Sequence, residues 1–421
     1  MGRSVLGTKG DRILINGQLT YSDIPGTRTE AHGLLMNARF IQGIFDDRAD
    51  PGRFSRFGVD WDAETNTDRL IAALPEWRRY GLLGFTVGLQ GGMPVLTIDN
   101  HTIDNNPFSE DGTQIDPAYL ARLDRLITAA DEIGMVVIVS LLYQGQSRRM
   151  RDGRCIRAAV AAGSRFLREA AYGNVIIEVA NEYHVGDFKD HPLIYHAEGI
   201  ATLIDLARAE SGGLPVGSSG GGLVCNPEVC RASDILLVHG NGGTEQTYYN
   251  MIRKTQALGL NRPIVCNEDS PRFTQLKVAS RTGTSWGYYN THTKQEPPAD
   301  WSITRGEDQF FAWRMAELIG LDVPTLSVAD QFHFQGFEPG CVYEGKRWIR
   351  LASLYPERID FVEYYRDGVL FDTAFEEPYY PLHRQTWIQD GIELTGSEDR
   401  WKAVAHLHSG DVIERADEIT I

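Results

Sequence analysis

A chain of 421 residues with 42% apolar and 23% charged residues has the balance of a folded protein with a sizeable core, and is long enough for two domains. Its 41 basic and 57 acidic residues leave a formal charge of 41 − 57 = −16, which disfavours phosphate backbones and anionic lipid as partners. The longest strongly apolar run, GMVVIVSLLY at 134–143, falls far short of the ~20 residues that span a bilayer.

The opening MGRSVLGTKGDR has no apolar leader, so the chain is expected to stay where it is made unless a signal has been removed. Within residues 1–36, ILINGQLTY at 13–21 predicts a hairpin about Asn16-Gly17, placed as a cap on the bottom of the domain formed by 37–320. From 37 to 320, short β-branched runs alternate with stretches of helical period. Strands are expected at 39–45, 82–89, 135–142, 174–180, 214–218, 235–239, 263–266 and 284–288, with helices between them such as 117–133 and 156–171. Eight such units predict a closed (β/α)8 TIM barrel rather than an open doubly wound sheet.

The loops after the first two strands, 46–66 and 90–116, are long, polar and aromatic. Barrel enzymes carry their specificity on such loops, so these point to a substrate site and lean toward a pocket and exo action. Asp46, Asp47, Arg48 and His101 are candidates to hydrogen-bond hydroxyls in outer subsites. Past Gly320 the period shifts to alternation, with strands expected at 359–365, 368–373 and 401–408 between Asp-Gly and Ser-Gly turns. This pattern predicts a small C-terminal β-sandwich over 321–421. Its sequence resembles the bacterial immunoglobulin-like modules appended to carbohydrate-active enzymes. His406 and His408 alternate on one of its strands as an exposed pair rather than a metal site. The five cysteines lack metal-ligand spacing and read as free thiols, with a Cys225–Cys230 bridge left open. No metal or organic cofactor is expected.

Cleaving a glycosidic bond with retention needs two carboxyl groups ~5–5.5 Å apart, one to protonate the leaving oxygen and one to attack. NVIIEVANEY at 174–183 and PIVCNED at 263–269 are apolar strands that end in acids where the C-terminal face of a barrel lies. By strand count Glu182 is on the fourth and Glu268 on the seventh. With Asn181-Glu182 closing one strand and Glu268 the other, the segment 37–320 resembles glycoside hydrolases of clan A, the cellulase-type families.

That resemblance implies Glu182 as acid/base, Glu268 as nucleophile and Asn181 as the group that binds the sugar 2-hydroxyl. It further implies Trp286 as a platform under the sugar and His239 as a site histidine. Where many relatives carry Tyr two residues after that His, this chain has Asn241, so Tyr288 or Tyr183 becomes a candidate to orient the nucleophile. Repulsion between the two carboxylates is expected to raise the pKa of Glu182. Asp269 is the alternative nucleophile, whereas Glu178 lies deeper and reads as structural. The function expected is a retaining β-glycoside hydrolase acting on a β-linked oligo- or polysaccharide by double displacement. Two other readings are a non-catalytic carbohydrate-binding protein on the same barrel and a serine hydrolase using Ser219 in GSSGG at 217–221. The latter is disfavoured because 222–227 is a poor helix start.

Overall fold

The computed structural model describes residues 3–56, 59–97, 99–338, 340–395 and 400–418; Phe57, Gly58 and Ile98 of the two long loops lie outside the described residues. Each of the eight expected runs overlaps a parallel strand, the first at Arg39 alone: β1 (Asn37–Arg39), β2 (Gly84–Gly88), β3 (Val136–Tyr143), β4 (Val175–Asn181), β5 (Val216–Gly217), β6 (Leu236–His239), β7 (Ile264–Glu268) and β8 (Gly287–Tyr288). Six of them form one sheet in the order β5-β4-β3-β2-β1-β8, and β6 pairs with β7. A parallel bridge from Val265 to Ser285 joins β7 to the β8 side, and Asp234 N–H donates to the Val216 carbonyl (2.7 Å) between β5 and β6, closing the ring. The expected (β/α)8 barrel is what the chain forms.

The strand expected at 39–45 stops at Arg39. Phe40 begins a turn closed by Gly43 N–H to the Phe40 carbonyl (2.9 Å), and a Cβ on Gly43 would sit 2.7 Å from Leu70 Cδ2. Phe40, Ile41, Ile44 and Phe45 are apolar because the turn itself is buried.

Helices α1 (Ala63–Arg79), α2 (Pro117–Glu132), α3 (Gly153–Glu169), α4 (Ala197–Ser211), α5 (Pro227–Ala232), α6 (Glu245–Gln256), α7 (Phe273–Thr282) and α8 (Glu307–Ile319) come after the strands in turn. Their ends follow from local chemistry. Asp62, Asp116 and Asp152 accept backbone N–H groups as N-caps, Pro117 opens α2, and Gly212, Gly283 and Gly320 close α4, α7 and α8 in the left-handed region.

Ahead of the barrel, Arg12–Ile15 pairs with Gln18–Leu19 around Asn16 and Gly17, both at positive φ (53° and 79°), and also with Leu6–Lys9. Leu6 N–H donates to the Gly173 carbonyl just before β4, which sets this segment at the N-terminal end of the strands.

The C-terminal part is a β-sandwich. One sheet has the order β12-β11-β13-β14, from β11 (Ile359–Arg366), β12 (Val369–Ala374), β13 (Arg400–Leu407) and β14 (Val412–Glu418); β9 (Phe332–Gln335) and β10 (Arg350–Ser353) pair opposite it. Phe334, Leu351, Val362, Tyr364 and Trp401 fill the space between. Burial against the barrel is partly ionic. Arg350 and Glu307 form an enclosed ion pair at 2.6 Å, and buried Glu377 caps α7, accepting from Phe273 N–H (2.5 Å) and Thr274 N–H (3.3 Å). Among the described residues no helix is long and apolar enough to cross a membrane.

Candidate active site

Strands β4, β6 and β7 deliver three side chains to one spot at their C-terminal ends. A ligand atom of each of Glu182, His239 and Glu268 lies within 4.8 Å of the others. Glu182 immediately follows β4, and its φ of +53° turns the chain sharply, a strained conformation for a residue with a Cβ. Ser219 fixes that turn: its Oγ accepts from Glu182 N–H (3.1 Å) and its carbonyl from Tyr183 N–H (3.1 Å). A β-bulge between Val238 and His239 brings His239 opposite Glu268.

Each carboxylate has a distinct environment. Glu268 is enclosed; Arg39 from β1 forms an ion pair with its Oε2, and Asn241 Nδ2 donates to its Oε1 (2.9 Å). Arg39 is held in turn by Gln295 Oε1 (2.7 Å) and lies against the rings of Tyr143 and Tyr289. Glu182 is partly open at 17% side-chain exposure, and its Oε1 meets His239 Nδ1 at 3.1 Å. Asn181 beside it is buried, with an Oδ1 that has no partner.

Burial alone would raise Glu182, but the hydrogen bond and charge of His239, with Arg39 and His184, carry it below the usual range. This reverses the expected direction, because repulsion from Glu268 is outweighed by the histidine. Burial raises Glu268, against the pull of Arg39 and His239 and with help from the Glu182 and Glu178 charges. Burial would lower His239, yet the two carboxylates raise it above its ordinary value. These opposed directions favour a proton on His239, hydrogen-bonded to Glu182, over one on Glu182 itself. The spacing of these three groups would also admit a cation, but Arg39 and Asn241 already engage both oxygens of Glu268.

Other expected residues go elsewhere. Trp286 is no platform: it is fully buried, donates through Nε1 to Asp269 (2.6 Å) and packs on Phe311 of α8. Just ahead of short β8 and turned toward α8, an indole fills the wall as readily as it lines a cleft. Tyr288 does not orient Glu268, since its hydroxyl lies 2.7 Å from both Glu307 and Asp308 and its ring stacks on Phe311. Tyr183 is buried on the β5 loop side, where the thiols of Cys225 and Cys230 stand 3.0 Å apart and unbonded. Asn241, noted for its departure, is the residue that contacts the nucleophile candidate.

Asp269 is enclosed behind the wall with Trp286 and Ser270, and burial pushes its pKa up to about 8. Glu178 is buried and accepts from Asn267 Nδ2 (3.1 Å), a structural bond across the barrel. Asp47 ties the first two loops together through Asp104 N–H (3.0 Å) and Arg53 (3.0 Å), and Arg48 donates to the Asn106 carbonyl. Asp46 lies half-buried in the same loop beside Tyr119, and His101 is exposed on a 3-10 turn. His406 pairs with Glu363 (3.0 Å) on the sandwich. Ser219 is buried, and more than five residues of loop separate it from α5, so it forms no nucleophile elbow.

Sequence reasoning passed over Arg39, Gln295, Tyr143, Tyr289 and His184. A lone cation opening an apolar run was the available signal for Arg39; Gln295 gave none.

Neither protein-family models nor curated proteins match the chain. Among solved structures it is similar to a protein from Bacteroides vulgatus provisionally assigned as a glycoside hydrolase, with a TM-score of 0.50 at 11% identity over 99% of this chain and 82% of that one. It is also similar to a β-mannanase of the blue mussel Mytilus edulis (TM-score 0.47, 11% identity, 75% of this chain and 96% of that one). A third is an endo-β-1,4-mannanase from Thermotoga petrophila (TM-score 0.44, 12% identity, 91% of this chain and 97% of that one). At 11% identity the first of these likenesses speaks for the fold alone, and the other two add no argument to it.

Proposed function

We propose that this chain is a retaining β-glycoside hydrolase, with Glu268 as nucleophile and Glu182 as acid/base. The observation that carries the reading is the carboxyl pair at the ends of β4 and β7, with an oxygen of each within 4.8 Å. Retaining glycosidases hold their carboxyls ~5–5.5 Å apart, whereas inverting ones need ~6.5–9.5 Å to admit a water. A carboxylate gripped by a guanidinium and an amide N–H is fixed in direction and has a partner for its charge, which supports Glu268 as the attacking group.

The proton for the leaving oxygen comes from the His239–Glu182 pair. It passes from His239 Nδ1 to Glu182 Oε1 along an existing hydrogen bond of 3.1 Å, and from Glu182 to the departing alkoxide as Glu268 bonds to the anomeric carbon. Once Glu268 is esterified its charge is gone, and Glu182 takes a proton from the attacking water while the ester breaks. Asn181, with its unpartnered Oδ1, is placed to accept from the sugar 2-hydroxyl. The acidic surface favours a neutral substrate.

The test separates the roles. Glu182→Ala should lower turnover of poor leaving groups about 10²–10⁴-fold, spare activated aryl β-glycosides in the first step, and give the β-glycosyl azide with added azide. Glu268→Ala should fail on both substrates and give at most the α-azide. Reversed configurations would exchange the assignments, and undiminished activity in both variants would remove the site.

A further inference from the structure

Between the loop after β8 and the C-terminal sandwich lies a cavity of about 420 Å³, a volume in the range of small-molecule sites. It does not include the carboxyl pair. The sandwich closes it with the segment His383–Gln385 to Ile388–Gln389, which clasps the C-terminal face of the barrel at two points. Thr386 Oγ1 accepts from Gly242 N–H (2.8 Å), next to the Asn241 that holds Glu268, and the Trp387 carbonyl accepts from Thr291 Oγ1 (2.7 Å).

The lining has a definite chemistry. Trp348 and Trp387 supply aromatic surface. Three polar atoms in the lining are buried without a partner: Thr293 Oγ1, Arg350 Nε and Gln389 Oε1. Arg350 and Gln389 are themselves more than nine-tenths buried. Leaving such atoms unpaired costs about 1–3 kcal/mol each, so a ligand in the cavity toward which these side chains turn gains by pairing them. One is a donor, one an acceptor and one can be either, a mixture that hydroxyl groups match. An anionic ligand is disfavoured, since the wall carries three carboxylates (Asp300, Glu307 and Glu338) against two cations (Arg305 and Arg350), and Arg350 is already met by Glu307 at 2.6 Å. A purely apolar ligand would leave all three atoms unpaired.

We infer that this cavity is a second carbohydrate site, in which one or two neutral pyranose units lie against Trp348 and Trp387 and hydrogen-bond Thr293, Arg350 and Gln389. The inference rests on the glycosidase reading for its choice of a sugar over another polyhydroxyl compound. The two sites are physically joined: the turn Thr291–Gln295 lines the cavity with its first residues and holds Arg39 with its last. The sandwich thereby becomes part of the carbohydrate-binding surface.

The test uses the full chain and β-1,4-linked gluco-, manno- and xylo-oligosaccharides of two to six units. Binding is measured by calorimetry and tryptophan fluorescence in a Glu268→Gln background to prevent turnover. Thr293→Val removes only the unpaired hydroxyl, so its melting temperature should hold or rise, yet its affinity for the best oligosaccharide should fall about tenfold. Trp387→Ala should weaken binding at least as much. With Glu268 restored, both variants should hydrolyse aryl β-monoglycosides at the wild-type rate. A matching tenfold loss in kcat/KM on oligosaccharides means that one chain spans both sites, and an unchanged value means that the cavity binds independently of turnover; either supports the inference. Oligosaccharide affinity unaltered in both variants, or no binding by the parent across the panel, would overturn it. If no glycoside is hydrolysed but binding still depends on Thr293, the hydrolase reading fails and the second site stands.

Discussion

Replacing Arg39 with Met keeps an apolar stem of similar length and deletes the guanidinium, with its charge and its bonds to Glu268 and Gln295. The partners of the ion pair are enclosed, with side-chain exposures of 1% for Arg39 and 7% for Glu268, so water cannot substitute for the guanidinium. Leaving one member of a buried pair alone costs about 3–5 kcal/mol. At about 1.4 kcal/mol per pH unit, that penalty raises the Glu268 pKa by roughly two to three and a half units beyond its already raised position. The sign is fixed: the nucleophile must be ionised to attack, so the acidic limb of the kcat/KM profile moves to higher pH. The basic limb reports loss of the His239–Glu182 proton and moves less, because His239 outweighs Arg39 in setting Glu182, so the bell narrows. On the acidic limb the loss in kcat/KM should be about 10²–10³-fold, shrinking as pH rises. Arg39→Lys should fall between, since one ammonium cannot hold both Glu268 and Gln295 in the guanidinium's geometry. The assay is kcat/KM on an aryl β-glycoside from pH 4 to 10, with melting temperatures to exclude unfolding. A Met variant with a wild-type acidic limb would refute the assignment of Glu268 as an anion held by Arg39.

Gly222→Ala would place a Cβ 2.1 Å from the Asn241 carbonyl and 3.0 Å from its Oδ1, so the backbone at Asn241 must shift; the melting temperature should fall and kcat/KM of the folded variant should drop about 10–100-fold, and an unperturbed rate would show that Asn241 need not be held there. Asp269 is buried with a pKa raised to about 8. The folded state binds its proton more tightly than the unfolded one, so stability is fullest below pH ~4 and is lost as pH rises toward 8. Asp269→Asn should gain on wild type by up to about 1.4 kcal/mol per pH unit across that window in urea titrations, and a pH-independent difference would contradict this. Truncation after Gly320 would strip Glu307 of Arg350 and α7 of its Glu377 cap; the shortened chain should be insoluble, and a soluble, cooperative barrel would show these contacts to be dispensable.

The alternation of apolar runs with helical stretches sufficed for the barrel, because a strand buried on both faces and an amphipathic helix each leave a periodic trace in sequence. The order of strands then put Glu182 and Glu268 at the same end of that barrel. Side-chain direction left no such trace. Trp286 and Tyr288 carry the composition of a sugar platform, yet short β8 turns both toward α8, a choice made by Phe311 some twenty residues away. Arg39 lies over 200 residues from its partner Glu268, and only closure of β1 beside β8 brings the two together. The direction of the Glu182 pKa was decided in the same way, by a bulge that sets His239 between two carboxylates. Local pattern thus determined the elements and their order, while the contacts that set charge, proton position and the joining of the sandwich to the barrel are long-range and exist only once the chain has folded.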